Sequence, residues 1–307
     1  MRVVVALGGN AILQRGERGS ANEQRAAVRE ACEGLGELAA AGHDLVVTHG
    51  NGPQVGALMI QQRAAEHSVP AMPLDLLVAQ TQGQVGYLMQ QELTGALRRR
   101  HIDNPVASLV TQVVVDPADP AFARPTKPVG PHLSAEQARE LRRALIPVTE
   151  LPGGAWRRVV PSPRPREIVE REALRALVAS GVVVIAGGGG GVPVVAEGSG
   201  YRGVEGVVDK DLTAALLATA VDAEALVILT DVERVVIDRG TRRERAASRL
   251  TVAEAHAALD DGQFPPGSMG PKIEAAVSAV KEGRRAVICG LAQAAKALDG
   301  AGTEIVA

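Results

Sequence analysis

Aromatic side chains are scarce: 307 residues carry only Trp156, Tyr87, Tyr201, Phe122 and Phe264. That excludes an RNA reader built on stacked bases. It also means the core is made of Val, Leu, Ile and Ala. The two cysteines, Cys32 and Cys289, stand far apart in apolar segments, so neither a disulfide framework nor metal-ligand spacing arises. A net charge of −2 gives no basic face for nucleic acid or an anionic surface. No apolar run approaches membrane-spanning length, and Met1-Arg2 leads straight into a strand rather than a signal peptide. The expectation is a soluble cytoplasmic chain, long enough for one large domain or two.

What the sequence does have is glycine placed after apolar strands. Val182-Val183-Val184-Ile185-Ala186 reads as a strand buried on both faces and runs into Gly187 to Gly191. Gly8-Gly9-Asn10 and Gly50-Asn51-Gly52 follow two further strands. Residues without a Cβ let a ligand approach the backbone and let amides point at it. The three turns therefore suggest one anion site at the ends of a parallel sheet. The competing reading is three unrelated tight turns. The five-glycine run is neither a Walker loop, since no Gly-Lys-Ser/Thr follows, nor a Rossmann fingerprint, since Val192-Pro193-Val194 continues extended.

Strands alternate with helices along the chain, which predicts an α/β fold with a mostly parallel sheet. Ser20-Ala21-Asn22-Glu23 is a capping box opening a helix to about Ala41, stopped by Gly42. Pro53 opens a second helix, and a third runs over 74–100. Val106 to Val115 reads as one long β-branched strand. Glu167–Ala179 and Leu291–Leu298 read as helices. Ten of the eighteen prolines lie between Asp116 and Pro165. This segment interrupts the alternation and reads as an inserted subdomain or lid, or else as a rigid surface excursion.

Several charged residues sit where anions are bound. Lys272 lies just inside a helix start, where free N–H groups and the helix dipole favour a phosphate. Asp209-Lys210-Asp211 opens another helix. Its carboxylates either serve the dipole alone or hold Mg²⁺ and a transferring phosphoryl group. Lys127, stiffened by Pro125 and Pro128, reads on its own as a surface lysine. His49 is a candidate general base or a satisfied strand-end histidine. Lysines, glycine turns and a carboxylate pair suit phosphoryl transfer, which needs positioning and cations more than covalent chemistry.

Together the motifs resemble the carbamate kinases, nearly end to end. The resemblance rests on Val4-Val5-Ala6-Leu7-Gly8-Gly9-Asn10-Ala11, His49-Gly50-Asn51-Gly52-Pro53-Gln54-Val55-Gly56 and Thr111-Gln112-Val113-Val114-Val115-Asp116-Pro117. It continues through Pro125-Thr126-Lys127-Pro128, Val160-Pro161-Ser162-Pro163, the glycine run, Val208-Asp209-Lys210-Asp211 and the string from Pro266 to Ala276. The resemblance implies the amino acid kinase superfamily. Its fold is an open three-layer αβα sandwich around a mainly parallel sheet, with a small inserted, protruding subdomain. On this reading residues 1–180 form the carbamate side, interrupted by the insertion at about 116–165, and residues 181–307 form the nucleotide side of one catalytic unit.

Many members of that superfamily carry a lysine where this chain has Ala6. In carbamate kinases a lysine on the insertion resembles the replacement, which points to Lys127. The resemblance further implies that Lys210 and Lys272 flank the phosphoryl group, that Asp211 orients them, and that Asp209 lies near the metal or phosphates. Gly8, Gly9, Asn10, Gly50, Asn51 and Gly52 would bind carbamate and the moving phosphoryl. Gly187, Gly188, Thr230, Asp231, Ser268 and Met269 would border the nucleotide. The implied reaction is ATP + carbamate = ADP + carbamoyl phosphate, with Mg²⁺ carried mainly by the nucleotide. It commonly runs toward ATP in arginine or related nitrogen breakdown, in a homodimer. The rival readings are another superfamily kinase with a different acceptor, and a catalytically silent nucleotide sensor.

Overall fold

The computed structural model describes the chain except residues 15–16, 152 and 265–268 and the side chains of Asn10 and Pro131. In chain order the elements are β1 (Arg2–Leu7), α1 (Ala21–Ala40), β2 (Asp44–His49), α2 (Gly52–Ala65), α3 (Leu74–Arg98), β3 (Val106–Ser108), β4 (Gln112–Val115), α4 (Pro120–Ala123), β5 (Lys127–Leu133), α5 (Ala135–Arg143), β6 (Val148–Glu150), β7 (Trp156–Val160), β8 (Pro165–Ile168), α6 (Arg171–Ala179), β9 (Val183–Ile185), β10 (Val192–Glu197), β11 (Gly200–Gly203), α7 (Lys210–Ala220), β12 (Ala225–Thr230), β13 (Val235–Ile237), β14 (Arg245–Ala247), β15 (Arg249–Thr251), α8 (Val252–Asp260), α9 (Gly270–Lys281), β16 (Arg285–Gly290) and β17 (Thr303–Val306).

The central sheet has the order β15-β17-β16-β12-β1-β2-β9-β3. Among the described residues its neighbouring strands are parallel except β16 and β17. Alternate side chains of β1 face opposite layers, as the two-residue period of a strand requires. Val4 and Ala6 pack with Leu217 of α7 and Ala276 of α9. Val3, Val5 and Leu7 pack with Leu35 of α1 and Leu93 of α3. Helices therefore cover both faces, and the fold is the expected αβα sandwich. Each of these fully buried Val or Leu side chains contributes about 1.5–3 kcal/mol of burial.

From β1 the chain winds through α1 to β2 on one side. On its other side β12 winds on to β16. The winding direction reverses between β1 and β12, and α/β sheets bind ligands beyond the strand ends at such a reversal.

The structure departs from the sequence reading at several elements. The stretch from Val106 to Val115 divides: β3 edges the central sheet, and β4 joins a smaller sheet of order β11-β10-β4-β8. The break falls at Leu109–Thr111, where the Leu109 N–H still donates to Ile185 and the Gln82 side chain captures the Thr111 N–H. The segment expected to be helical from Glu167 begins instead as β8, and α6 starts at Arg171. Leu291–Asp299 forms 3₁₀ turns rather than an α-helix. Gly188–Gly190 makes one 3₁₀ turn before β10 resumes the extended path.

Within the proline-rich insertion, β5, β7 and β6 form their own antiparallel sheet. It is docked on the body: Val129 of β5 and Val160 of β7 share one buried cluster with Val55 of α2 and Leu77 and Val78 of α3.

Candidate active site

Four adjacent parallel strands, β12, β1, β2 and β9, end on one side of the sheet. Beyond those ends come Asp231, Gly8, Gly50 and the glycine run. The turns after β1 and β2 touch. A Cβ at Gly50 would stand 3.3 Å from the backbone of Gly9 and 3.7 Å from Cδ of Lys210. Gly9 and Gly52 have no atom within 4 Å of the Cβ position, so both turns are open on one side. Gly8 is tied down, its N–H donating to Leu229 at 3.0 Å. Asn10 lies in the 3₁₀ turn Gly9–Ala11.

Into this corner points a chain of alternating charges. Asp209 is the N-cap of α7, and its Oδ1 accepts from the Asp211 N–H at 2.9 Å. Its Oδ2 accepts from the Lys127 ammonium at the start of β5. Asp211 Oδ1 accepts from Lys210, and Oδ2 from Lys272 at 2.7 Å. Two helix N-termini, those of α7 and α9, thus bring Lys210 and Lys272 onto one carboxylate, and the insertion adds Lys127 from the other side. Asp211 and Lys272 are 3% and 9% exposed, so this is a desolvated cluster and not a solvated charge run. Its formal charge is one positive unit in excess.

Burial sets the electrostatics. It pulls Lys210 down to about 8, because the pull of Asp211 only partly offsets desolvation and Lys272 repels. Burial also acts against Lys272, but Asp211 and Asp209 hold that ammonium above its ordinary value. For Asp211 burial works upward, and the two lysines overcome it to hold the carboxyl at about 2. Lys210, Asp211 and Lys272 are therefore ionised at neutral pH, a desolvated positive excess of the kind that stabilises developing negative charge.

His49 is the satisfied strand-end histidine and not a base facing the corner. It is 1% exposed, and its Nδ1 lies 2.9 Å from the Gly50 carbonyl. Burial lowers its pKa to about 4, so the ring is neutral and Nδ1–H donates to that carbonyl.

Gly187 and Gly188, expected against the nucleotide, are buried with the rest of the run. The space freed by the missing Cβ atoms is filled by the protein itself. A Cβ at Gly187 would meet Leu217 and Thr213 at 3.0 Å, at Gly188 the His49 ring at 2.4 Å, and at Gly189 the Asn51 amide at 2.1 Å. Gly187, Gly189, Gly190 and Gly191 all have positive φ, which glycine alone adopts freely. Buried polar side chains hold this backbone. Thr48 donates to the Gly187 carbonyl, the Gly187 N–H donates to Thr111, and Thr213 donates to the Gly190 carbonyl, at 2.8, 2.9 and 2.8 Å.

Asn51 also packs inward by its side chain. Its side chain is turned into the body, with Nδ2 donating to Thr81 at 2.8 Å, so only its backbone faces the corner. Thr81 and Gln82 were missed by sequence reasoning. The available signal was two adjacent polar residues on the apolar stripe of α3 between Val78 and Val85.

Thr230 ends β12, with its Cα 3.8 Å from the Cβ position of Gly8, so it borders the same corner. Its hydroxyl donates to Asp231 at 3.2 Å. Met269 is the N-cap of α9, and its carbonyl accepts from the Lys272 N–H. Ser268 lies outside the described residues.

The amino acid kinase family profile matches residues 1–290. A carbamate kinase of Pyrococcus horikoshii is 46% identical over 309 residues, covering 99% of this chain and 98% of the relative. One from Trichomonas vaginalis is 48% identical over 312 residues, covering 100% and 99%. Among solved structures, carbamate kinase from Giardia lamblia bound to AMP-PNP superposes with a TM-score of 0.91 at 41% identity, covering 99% of this chain and 98% of that one. This chain belongs to the amino acid kinase family and, within it, to the carbamate kinases.

Proposed function

We propose that the protein catalyses ATP + carbamate = ADP + carbamoyl phosphate. The observation that carries this reading is the buried Lys210–Asp211–Lys272 cluster beside two open glycine turns, with Lys127 reaching it from the insertion. Carbamate is already an anion, so attack on a phosphoryl group needs no general base, in keeping with a neutral, buried His49. What the reaction needs is the alignment of two anions and relief of their repulsion. Lys210 and Lys272 take the equatorial oxygens, and Asp211 fixes their ammoniums. Lys127 exchanges Asp209 for the substrate anion. Backbone amides of Gly9, Asn10, Asn51 and Gly52 receive carbamate and the moving group, while Gly8 and Gly50, whose N–H groups donate to Leu229 and Leu7, hold the two turns in place and leave room for it. The nucleotide lies toward the backbone of Gly187 and Gly188 and toward Thr230, Asp231, Ser268 and Met269.

Mg²⁺ fits this site as an ion carried by the nucleotide. Among the described residues no group of three acidic, His or Cys side chains forms a cage. Asp209, once released by Lys127, is the carboxylate placed to meet it. When bound, the ion would neutralise phosphate charge. The family likeness also supports a homodimer, a cytoplasmic location, a carbamate-side half over 1–180 and a nucleotide-side half over 181–307, and net flux toward ATP in arginine or related nitrogen catabolism. Among the described residues no helix is long and apolar enough to cross a membrane.

The test is ATP formation from MgADP and carbamoyl phosphate. Turnover is expected; its absence at high enzyme concentration, with the protein folded, would sink the proposal.

A further inference from the structure

Lys127 belongs to the insertion, whereas its partner Asp209 caps α7. Its position therefore depends on how the insertion rests on the body. The contact that decides this is backbone against backbone. A Cβ built on Gly56 of α2 would lie 2.1 Å from Cα and 2.6 Å from N of Gly130 in β5. Gly130 itself has φ +75°, a conformation open to glycine. β5 thus lies directly on the second turn of α2, closer than any side chain would permit. On either side of the crossing Val55 and Val129 are 0% and 2% exposed and share one cluster.

Both elements lead into the site. Gly130 is three residues along β5 from Lys127. α2 starts at Gly52, where the Gly50-Asn51-Gly52 turn ends, and Asn51 of that turn is pinned to Thr81. One crossing therefore links the turn that offers amides to the strand that offers the ammonium.

The geometry points to Gly56 as a positioning residue for Lys127: the Gly56–Gly130 crossing sets the distance between the insertion's lysine and the carbamate-side turn. This rests on the kinase reading above. An alanine at Gly56 forces β5 away by at least about 1 Å before ordinary contact at 3.4 Å is restored. Misplacement on that scale costs up to about a hundredfold in rate. Alanine is also the better helix former, so helix propensity does not explain a loss.

The test is a kinetic double-mutant cycle of Gly56→Ala with Lys127→Ala, read as ATP formation. Gly56→Ala is expected to lower kcat about tenfold or more, raise KM for carbamoyl phosphate and leave KM for ADP unchanged. In its background Lys127→Ala should cost much less than in the wild type, because the lysine is already displaced. Gly83→Ala on α3, where nothing lies within 4 Å of the Cβ position, should behave as wild type. Wild-type kinetics in Gly56→Ala, or multiplicative losses in the cycle, would overturn the inference. If Gly56→Ala does not fold, Val129→Ala loosens the same seam without a clash, and the same non-additivity with Lys127→Ala is required of it. A wild-type enzyme without ATP formation would instead remove the kinase reading, so the two failures are distinct.

Discussion

Replacing Asp211 by Asn removes one charge and little volume, and it strikes two lysines at once. Asp211 accepts from both Lys210 and Lys272, and it is the strongest influence keeping Lys210 charged against burial. Lys210 already titrates at about 8. Without the carboxylate, and with Lys272 still repelling it, its pKa falls below that value and the ammonium is largely lost at pH 7.5. Loss of one group aimed at developing charge costs about 3–4 kcal/mol, or about a thousandfold in kcat. Opening the buried ion pairs costs stability as well, about 3 kcal/mol, since the desolvated Lys272 ammonium loses its partner carboxylate and Lys210 must give up its proton. At roughly 2 °C per kcal/mol, Tm falls by about 6 °C. The assay is ATP formation from MgADP and carbamoyl phosphate between pH 6 and 9, with thermal melts alongside. The sign of the pH response is the sharp part. Lowering the pH recharges Lys210 in the variant, so part of the lost activity should return toward pH 6. A variant with near-wild-type kcat, or one whose deficit is the same at every pH, would refute the role given to Asp211.

Three further outcomes are expected. Lys127→Ala should lower kcat by about a hundredfold and the melting temperature only slightly, because Asp209 keeps its bond from the Asp211 N–H when the lysine is removed; an unaltered kcat would take the insertion out of the site. In the wild type, kcat/KM should fall about tenfold per pH unit above pH 8 as Lys210 deprotonates, while kcat falls only at higher pH because a bound anion raises that pKa; profiles flat to pH 10 would contradict this. His49 titrates at about 4 folded against 6.5 unfolded, so the unfolded chain takes up a proton first, and stability is lost as pH falls from 6.5 to 4, by about 3 kcal/mol. Denaturant unfolding at pH 7 and 4.5 measures this, and an equal dependence in His49→Gln would assign the acid loss elsewhere.

What was legible in the sequence follows from locality. The strands ending in Leu7, His49 and Ile185 announce themselves by β-branched runs, and the capping box at Ser20 by residues three apart. The proline density between Asp116 and Pro165 marked the insertion because a strand–helix alternation cannot absorb it. Lys127 was different. Nothing around it tells a surface lysine from a site lysine, and only the likeness to a family selected it. Its partner Asp209 stands 82 residues away, and such a pairing is a property of topology. The division of Val106–Val115 was hidden for the same reason, since the Gln82 amide that ends the first half belongs to α3.

The glycine run shows what fills the space left by its missing Cβ atoms. At all five positions the atoms nearest the missing Cβ belong to the protein itself. His49, Asn51, Thr48 and Thr213 occupy or fasten the space around Gly187–Gly190. The consequence reaches the chemistry. With the His49 and Asn51 side chains directed inward, the turn after β2 has only backbone to offer, and backbone amides carry no titratable charge. On the proposed reading the charge that discriminates and stabilises comes from α7, α9 and β5, which is where Lys210, Lys272 and Lys127 stand. A site divided in this way keeps its anion cradle indifferent to pH and concentrates its pH dependence in the lysines, Lys210 first.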